Sequence, residues 1–158
     1  MHAVIQACVE DAGNLAQTLG LGRVVGQIYA YVYFSGEPKG LKDFQTDLDI
    51  SKGSASMCVR QLEQWDAVRK VQVAGDRKDY YVANPWFGRV LKNVLLDQVN
   101  KRFADRDAFY ADLHEQLDAD TGTSKNAAFI KERVEHIQAF EDKARKMWNS
   151  PLVAHFFK

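Results

Sequence analysis

Several things are scarce in this chain of 158 residues, and each scarcity excludes something. There are two cysteines, Cys8 and Cys58. They make neither a disulfide framework nor a metal-ligand spacing, so a reducing cytoplasm is the expected compartment. Long apolar runs are missing. The longest is Ile28 to Phe34, far short of the roughly 20 residues that cross a bilayer. Glu10 and Asp11 interrupt the N-terminus where a secretory leader would be apolar, so no leader and no membrane association are expected. Charge of one sign is not in excess: 21 Lys and Arg balance 21 Asp and Glu, which argues against attraction to nucleic acid by bulk charge. The apolar content of 46% excludes a disordered chain.

Catalytic and metal-binding patterns are equally scarce. Gly20-Leu21-Gly22 lacks the later glycine of a phosphate-binding loop and follows no convincing strand. Nothing resembles a nucleophile elbow. Asp118 and Asp120 fall in a polar loop rather than forming a general acid/base pair. His2, His114, His136 and His155 are scattered, and His114-Glu115 with Glu135-His136 match no recognised ligand spacing. The expectation is a protein without cofactor or metal that is not an enzyme.

What is present is helical periodicity with one interruption. Val4, Cys8, Ala12 and Leu15 predict an apolar stripe on a helix from His2 to Thr18. Arg23 to Phe34 predicts a helix apolar on nearly all sides, hence central to a core. Ser35 to Gly40 reads as loop. Leu41, Phe44 and Leu48 mark a short helix, and Ser51 is placed to cap a second one running to about Trp65, with Ala55, Cys58 or Val59, Leu62 and Trp65 inside. Two short helices joined by a tight turn make a helix-turn-helix. The period then changes to two. Val68 to Val73 and Asp79 to Ala83 predict two strands around a turn with a basic tip. Asn84-Pro85 predicts a new helix with Asn84 as cap. Trp86 to about Asp118 is helical, with a bend or break expected near Ala104-Asp105. A last helix spans about Asn126 to Trp148, followed by an apolar tail from Leu152 to Phe157.

Helix, short helix, capped helix and hairpin in this order predict a mostly α winged helix-turn-helix with a two-stranded β-wing. The domain would cover 1–84 and a helical region 85–158. The outward residues of the capped helix are Ser51, Lys52, Gly53, Ser54, Ser56, Met57 and Arg60, and no acid occurs between Ile50 and Leu62. Small residues let a helix enter the roughly 12 Å major groove, and Lys, Arg and Ser can meet bases or phosphates there. Arg77 and Lys78 at the hairpin tip are a second contact. Each feature alone fits a solvated cap or turn; their order and separation favour double-stranded DNA. Cys58 is read as a small buried residue rather than a thiol switch.

The runs Ser51-Lys52-Gly53-Ser54-Ala55-Ser56, Arg60 to Trp65, Val68-Arg69-Lys70 and Gly75 to Tyr81, with Gly20 to Arg23 and Gly26 to Gly36, resemble the GbsR-type branch of the MarR superfamily. The resemblance covers about residues 10 to 90. It implies a homodimeric transcriptional regulator, more often a repressor, whose long terminal helices form the dimer interface. Val94, Phe103, Phe129, Val134, Ile137, Phe140, Phe156 and Phe157 are the candidates for that interface. Trp86, Phe87, Tyr110 and Trp148 are candidates for an effector pocket. The family name points to a quaternary ammonium compound, held by cation–π attraction. Two positions depart from the family pattern: Asp66 stands where a helix-ending Gly is common, and Gly22 where Pro is common. Asp tolerates the left-handed backbone that such a stop requires. The alternatives are a winged-helix adaptor that binds protein, and a small-molecule sensor or enzyme on the helical half.

Overall fold

The computed structural model describes residues 2–119 and 126–151. Its elements are α1 (Ala3–Thr18), α2 (Arg23–Tyr33), β1 (Lys39–Gly40), α3 (Leu41–Leu48), α4 (Lys52–Gln64), β2 (Val68–Val71), β3 (Tyr80–Ala83), α5 (Phe87–Ala119) and α6 (Ala127–Trp148). This is the expected mostly α winged helix-turn-helix. The chain divides into two compact units, Met1–Asn93 and Val94–Lys158. The polar loop with Asp120 and Gly122 and the tail with His155, Phe156 and Phe157 lie outside the described residues. Among the described residues no helix is long and apolar enough to cross a membrane.

In the first unit α2 is central, as its apolar circumference requires, with Val25, Ile28, Ala30, Tyr31 and Val32 buried. It packs on α1, α4 and β3. Phe44 of α3 is fully buried between the rings of Tyr31 and Tyr81, at 6.1 and 6.3 Å. Such burial contributes about 3 kcal/mol. The Tyr31 hydroxyl donates to the Asp47 carboxylate, which ties α2 to the far end of α3. Burial is the main reason that this phenol titrates well above its ordinary value, and the hydrogen bond to Asp47 adds to the shift.

The buried face of α1 differs from the expected stripe. Val4 and Leu15 are exposed, whereas Val9, Gly13 and Ala16 are buried. The cause is a close helix crossing that only small residues permit. A Cβ on Gly26 would lie 2.2 Å from the Ala12 carbonyl oxygen and 2.6 Å from the Ala16 Cβ. Of the expected stripe Cys8 and Ala12 are half-buried, while its two larger members, Val4 and Leu15, fall outside the contact.

The helix-turn-helix is punctuated as expected. Gly40 N–H donates to Asp43 Oδ2 at 2.7 Å at the start of α3, and Asp49 ends that helix in the left-handed conformation, with φ 53°. Ser51 Oγ accepts the Ser54 N–H at 3.1 Å. Asp66, at φ 56°, supplies the left-handed stop after α4. The hairpin β2–β3 pairs Val68 with Ala83 and Val71 with Tyr80. A third strand was read as loop: β1 pairs Lys39 with Tyr81 and Gly40 with Tyr80, giving the order β1-β3-β2. Two residues carry no periodicity, so nothing local announces this strand.

Helix α5 begins at Phe87 rather than Pro85, because the Asn84 side chain accepts the Trp86 N–H at 3.0 Å and holds a turn ahead of the helix. It then runs unbroken through Ala104-Asp105, where a bend or break was expected. Its first turns belong to the first unit: Val90 is buried, and Phe87 lies 6.4 Å from the Tyr29 ring. For this reason the first unit extends past the sequence boundary at Asn84.

The second unit joins the later part of α5 to α6 as an antiparallel hairpin, and its described contacts are largely polar. Arg106 donates to Glu141 at 2.8 and 3.1 Å and to the Tyr110 hydroxyl at 2.7 Å. Arg145 pairs with Asp107 and lies over the Phe103 ring at 4.9 Å. His114 meets Gln138 at 2.8 Å and Lys131 meets Asp118 at 3.2 Å. No residue of α6 is fully buried. The expected inner stripe is largely uncovered, with Phe129, Ile130, Ile137, Phe140 and Met147 exposed.

Two outcomes follow from this packing. Gly26→Ala should destabilise the chain by roughly 1–3 kcal/mol, read from the urea midpoint, because neither backbone nor Ala16 can yield easily. The hairpin should also be acid-sensitive. The arginine hydrogen bonds hold the Asp107 and Glu141 carboxyls below their usual range, Arg145 acting on the first and Arg106 on the second. Groups depressed in the folded state stabilise it above the unfolded carboxylate values of about 4, and this contribution fades as pH falls through the lower folded values. Helix content followed by circular dichroism should therefore decline below pH 4, and less so in Arg106→Gln/Arg145→Gln, which starts weaker.

Candidate nucleic-acid interface

Helix α4 has two chemically distinct sides. Ala55, Cys58, Val59 and Leu62 are buried. On the other side Ser51, Lys52, Gly53, Met57 and Arg60 are exposed, and Ser54 and Ser56 half-buried. The seven candidate residues thus share one accessible face. Gly53 has open space where a Cβ would be, so it keeps the surface of the first turn low. Ser51 satisfies one of the orphan N–H groups of that turn. The helix start is therefore electropositive through its backbone as well as its side chains. The Arg60 Nε–H donates to the Ser56 carbonyl at 3.3 Å, which lays this side chain along the helix.

The wing tip is shaped by one carboxylate. Asp76 accepts the Lys78 N–H at 2.9 Å, the Lys78 ammonium at 3.3 Å and the Tyr80 hydroxyl at 2.8 Å. These bonds, the Lys78 N–H foremost, hold the Asp76 carboxyl below its usual range. Gly75 takes the positive φ of 83° that the turn demands. Further along, Lys70 pairs with Asp79 at 2.6 Å. Part of the wing's positive charge is thus offset inside the wing, while Arg77 stays exposed beside it.

The tertiary structure brings the two features together. Lys52 of α4 and Arg77 and Lys78 of the wing line a single open cleft of about 520 Å³. Lys42, Asp43 and Gln45 of α3 line it too. Lys42 and Gln45 were missed in the sequence reading. Their only sequence signal was their place off the Leu41–Phe44–Leu48 face, and which partner that side met could not be read locally. Cys58 is buried behind the exposed face, and burial pushes its thiol up, the Ser54 hydrogen bond opposing the shift.

The other candidate residues fall elsewhere. Val94 is buried within a single chain, Phe103 and Val134 are half-buried, and Phe129, Ile137 and Phe140 are exposed. Of the four aromatics considered for an effector, Trp86 and Phe87 are exposed in the first unit. Tyr110 is buried under the Arg106 guanidinium, 4.8 Å from its ring centre, and Trp148 is half-buried. Among the described residues no group of three or more His, Cys, Asp and Glu side chains could hold a metal ion.

This geometry has relatives. The chain is 26% identical to the HTH-type transcriptional repressor GbsR of Bacillus subtilis (strain 168), over 96% of its own length and 92% of that protein's. The fold of this chain is shared with the crystal structure of a transcriptional regulator, at a TM-score of 0.53 and 20% identity, covering 91% of this chain and 97% of that one. A transcriptional regulator from Thermotoga maritima is more distant, at 0.43 and 17%. No family model matches the sequence. The run of likeness to GbsR passes beyond the winged domain into the helical second unit, further than the motifs around Ser51 and Gly75 reach by themselves. The relatives that the chain resembles are named as transcriptional regulators, and the exposed side of α4 with the cleft beside it is the chain's candidate interface.

Proposed function

We propose that this protein is a homodimeric repressor that binds duplex DNA sequence-specifically, in a reducing cytoplasm. The observation that carries the reading is the cleft in which Lys42, Lys52, Arg77 and Lys78 outnumber Asp43 and Asp79 beside the acid-free face of α4. The named repressor activity of the relative supports it. In this reading α4 lies in the major groove with Ser54, Ser56, Met57 and Arg60 toward base edges. Lys52 and the helix start meet phosphate, and Arg77 at the wing meets the flanking backbone or minor groove.

Dimerisation is part of the proposal. Phe129, Ile137 and Phe140 of α6 are exposed apolar surface among the described residues. Contiguous patches of this kind mark interaction sites. A second copy related by a two-fold axis would cover them and set two α4 helices about one DNA turn apart, near 10–10.5 base pairs or a multiple of it. A small-molecule effector would act by changing that spacing, which weakens both half-site contacts together. Trp86, Phe87, Tyr110 and Trp148 stay the candidate residues for such a ligand, a quaternary ammonium compound only by family resemblance.

Genomic fragments selected with the pure protein across a salt series test the whole reading; absence of duplex binding at low salt would leave a protein-binding adaptor instead. Arg60→Ala should cost about 1–3 kcal/mol and relax base preference at one position, whereas Arg77→Ala should weaken all duplexes alike and flatten the salt slope by about one. Light scattering should give twice the chain mass at micromolar concentration, and Phe140→Glu should halve it. A monomer that still binds a two-fold site with full affinity would sink the dimer geometry.

A further inference from the structure

The end of α4 is held in an unusual way. The last carbonyls of a helix have no partner within it and must find one elsewhere. The last carbonyls of α4 accept the N–H groups just beyond it, Gln61 O from Trp65, Leu62 O from Ala67 and Glu63 O from Asp66, and the carbonyls of the three residues after Gln64 are taken by Asn84, ahead of α5, and Asn93, within it. Trp65 O accepts Asn93 Nδ2–H at 2.8 Å. Asp66 O accepts Asn84 Nδ2–H at 3.0 Å, and the same amide reaches Asp66 Oδ2 at 3.0 Å. Ala67 O accepts the Asn84 backbone N–H at 2.8 Å. The Asp66 side chain therefore does more than tolerate the left-handed stop: it adds a bond that glycine would lack.

We infer that Asn93 is a positioning residue that couples α5 to the DNA-facing helix α4, with Asn84 as the fixed latch beside it. The inference rests on the DNA-binding reading for its consequence, though not for its geometry. Asn84 sits between β3 and α5 and moves with the sheet. Asn93 stands on α5 itself, which spans Phe87–Ala119. A rotation or axial shift of α5 carries the Asn93 amide with it, and the rise of a helix is only about 1.5 Å per residue. A displacement of that size either pulls the Trp65 end of α4 along or breaks the bond. Breaking it removes a hydrogen bond from a carbonyl of the buried Trp65, a loss on the order of 1 kcal/mol. The coupled path is thus the favoured one. Regulation of DNA affinity from the helical part of the chain would run through this amide.

The test is a double-mutant cycle on the full-length chain with two readouts. One is native-state hydrogen exchange of the amides from Glu63 to Ala67, which needs no DNA. The other is affinity for the best selected duplex. The disturbance of α5 is Arg106→Ala, or the milder Glu141→Gln, each of which removes the ion pair to α6. The coupling residue is changed by Asn93→Ala and by Asn93→Asp, which keeps the size and loses the donor. Circular dichroism confirms that each variant is folded. We expect the Arg106 or Glu141 change to speed exchange at Asp66 and Ala67, and to alter duplex affinity, by about threefold to tenfold, the range of one hydrogen bond. In either Asn93 background the same change should add less than about twofold. Additive effects in the exchange readout, or unchanged exchange in Asn93→Ala, overturn the inference. If the exchange coupling holds while no duplex binds, the coupling stands and the DNA-binding reading fails.

Discussion

Ala55, Cys58, Val59 and Leu62 turn one side of α4 into the core that it forms with α2, and this burial decides what its other side can do. A helix of this length would be marginal alone in water. Packed on α2 it is rigid, and its polar side becomes a fixed surface with Lys52, Ser56 and Arg60 in constant relation. The core also tolerates no shift of α2, since Gly26 lies against the Ala12 backbone and Tyr31 is bonded to Asp47. The geometry of the candidate interface is thus inherited from the apolar residues behind it.

Electrostatics then acts through placement rather than amount. Between Lys39 and Lys78 there are eight basic and six acidic residues, so even the winged part carries little net charge. Three of these acids are occupied within the fold, Asp43 at the start of α3, Asp47 by Tyr31 and Asp76 by Lys78 and Tyr80, and just beyond them Asp79 is paired with Lys70. Of the cations that line the cleft, Lys52 and Arg77 are exposed, and Lys78 is exposed while paired with Asp76. A surface of this kind attracts polyanions weakly at long range, where opposite charges cancel, and more strongly at contact, where individual side chains matter.

Much of the winged domain was legible because its signals are local. Ser51 as cap, the Ala55–Leu62 stripe and the change to period two after Trp65 each depend on residues within a few positions of one another. The stop at Asp66 was also foreseen, from the departure it makes where glycine is common. Other features were not legible. The buried side of α1 was missed because the partner demanded small residues there, not large ones. Strand β1 was missed because two residues have no period. The continuity of α5 was missed because its apolar residues drift around the wheel: its first turns pack in the first unit and its later ones bond to α6 through arginine pairs.

The interface shows the same division. Which residues of α4 face outward follows from helical periodicity alone, since a side that buries Ala55, Val59 and Leu62 must expose Lys52, Ser56 and Arg60. That Lys42 and Gln45 join Lys52, Arg77 and Lys78 around one cleft does not follow, because it depends on where α3 and the hairpin come to rest against α2 and α4. Nor could local pattern show that Asn93 would reach the Trp65 carbonyl across 28 positions of sequence. The sequence by itself determined the helices, their caps and stops, and the polar side of α4, for these arise from interactions within one or two turns. Only the tertiary structure decided which surfaces meet, because that choice is made by close packing between residues distant in the chain.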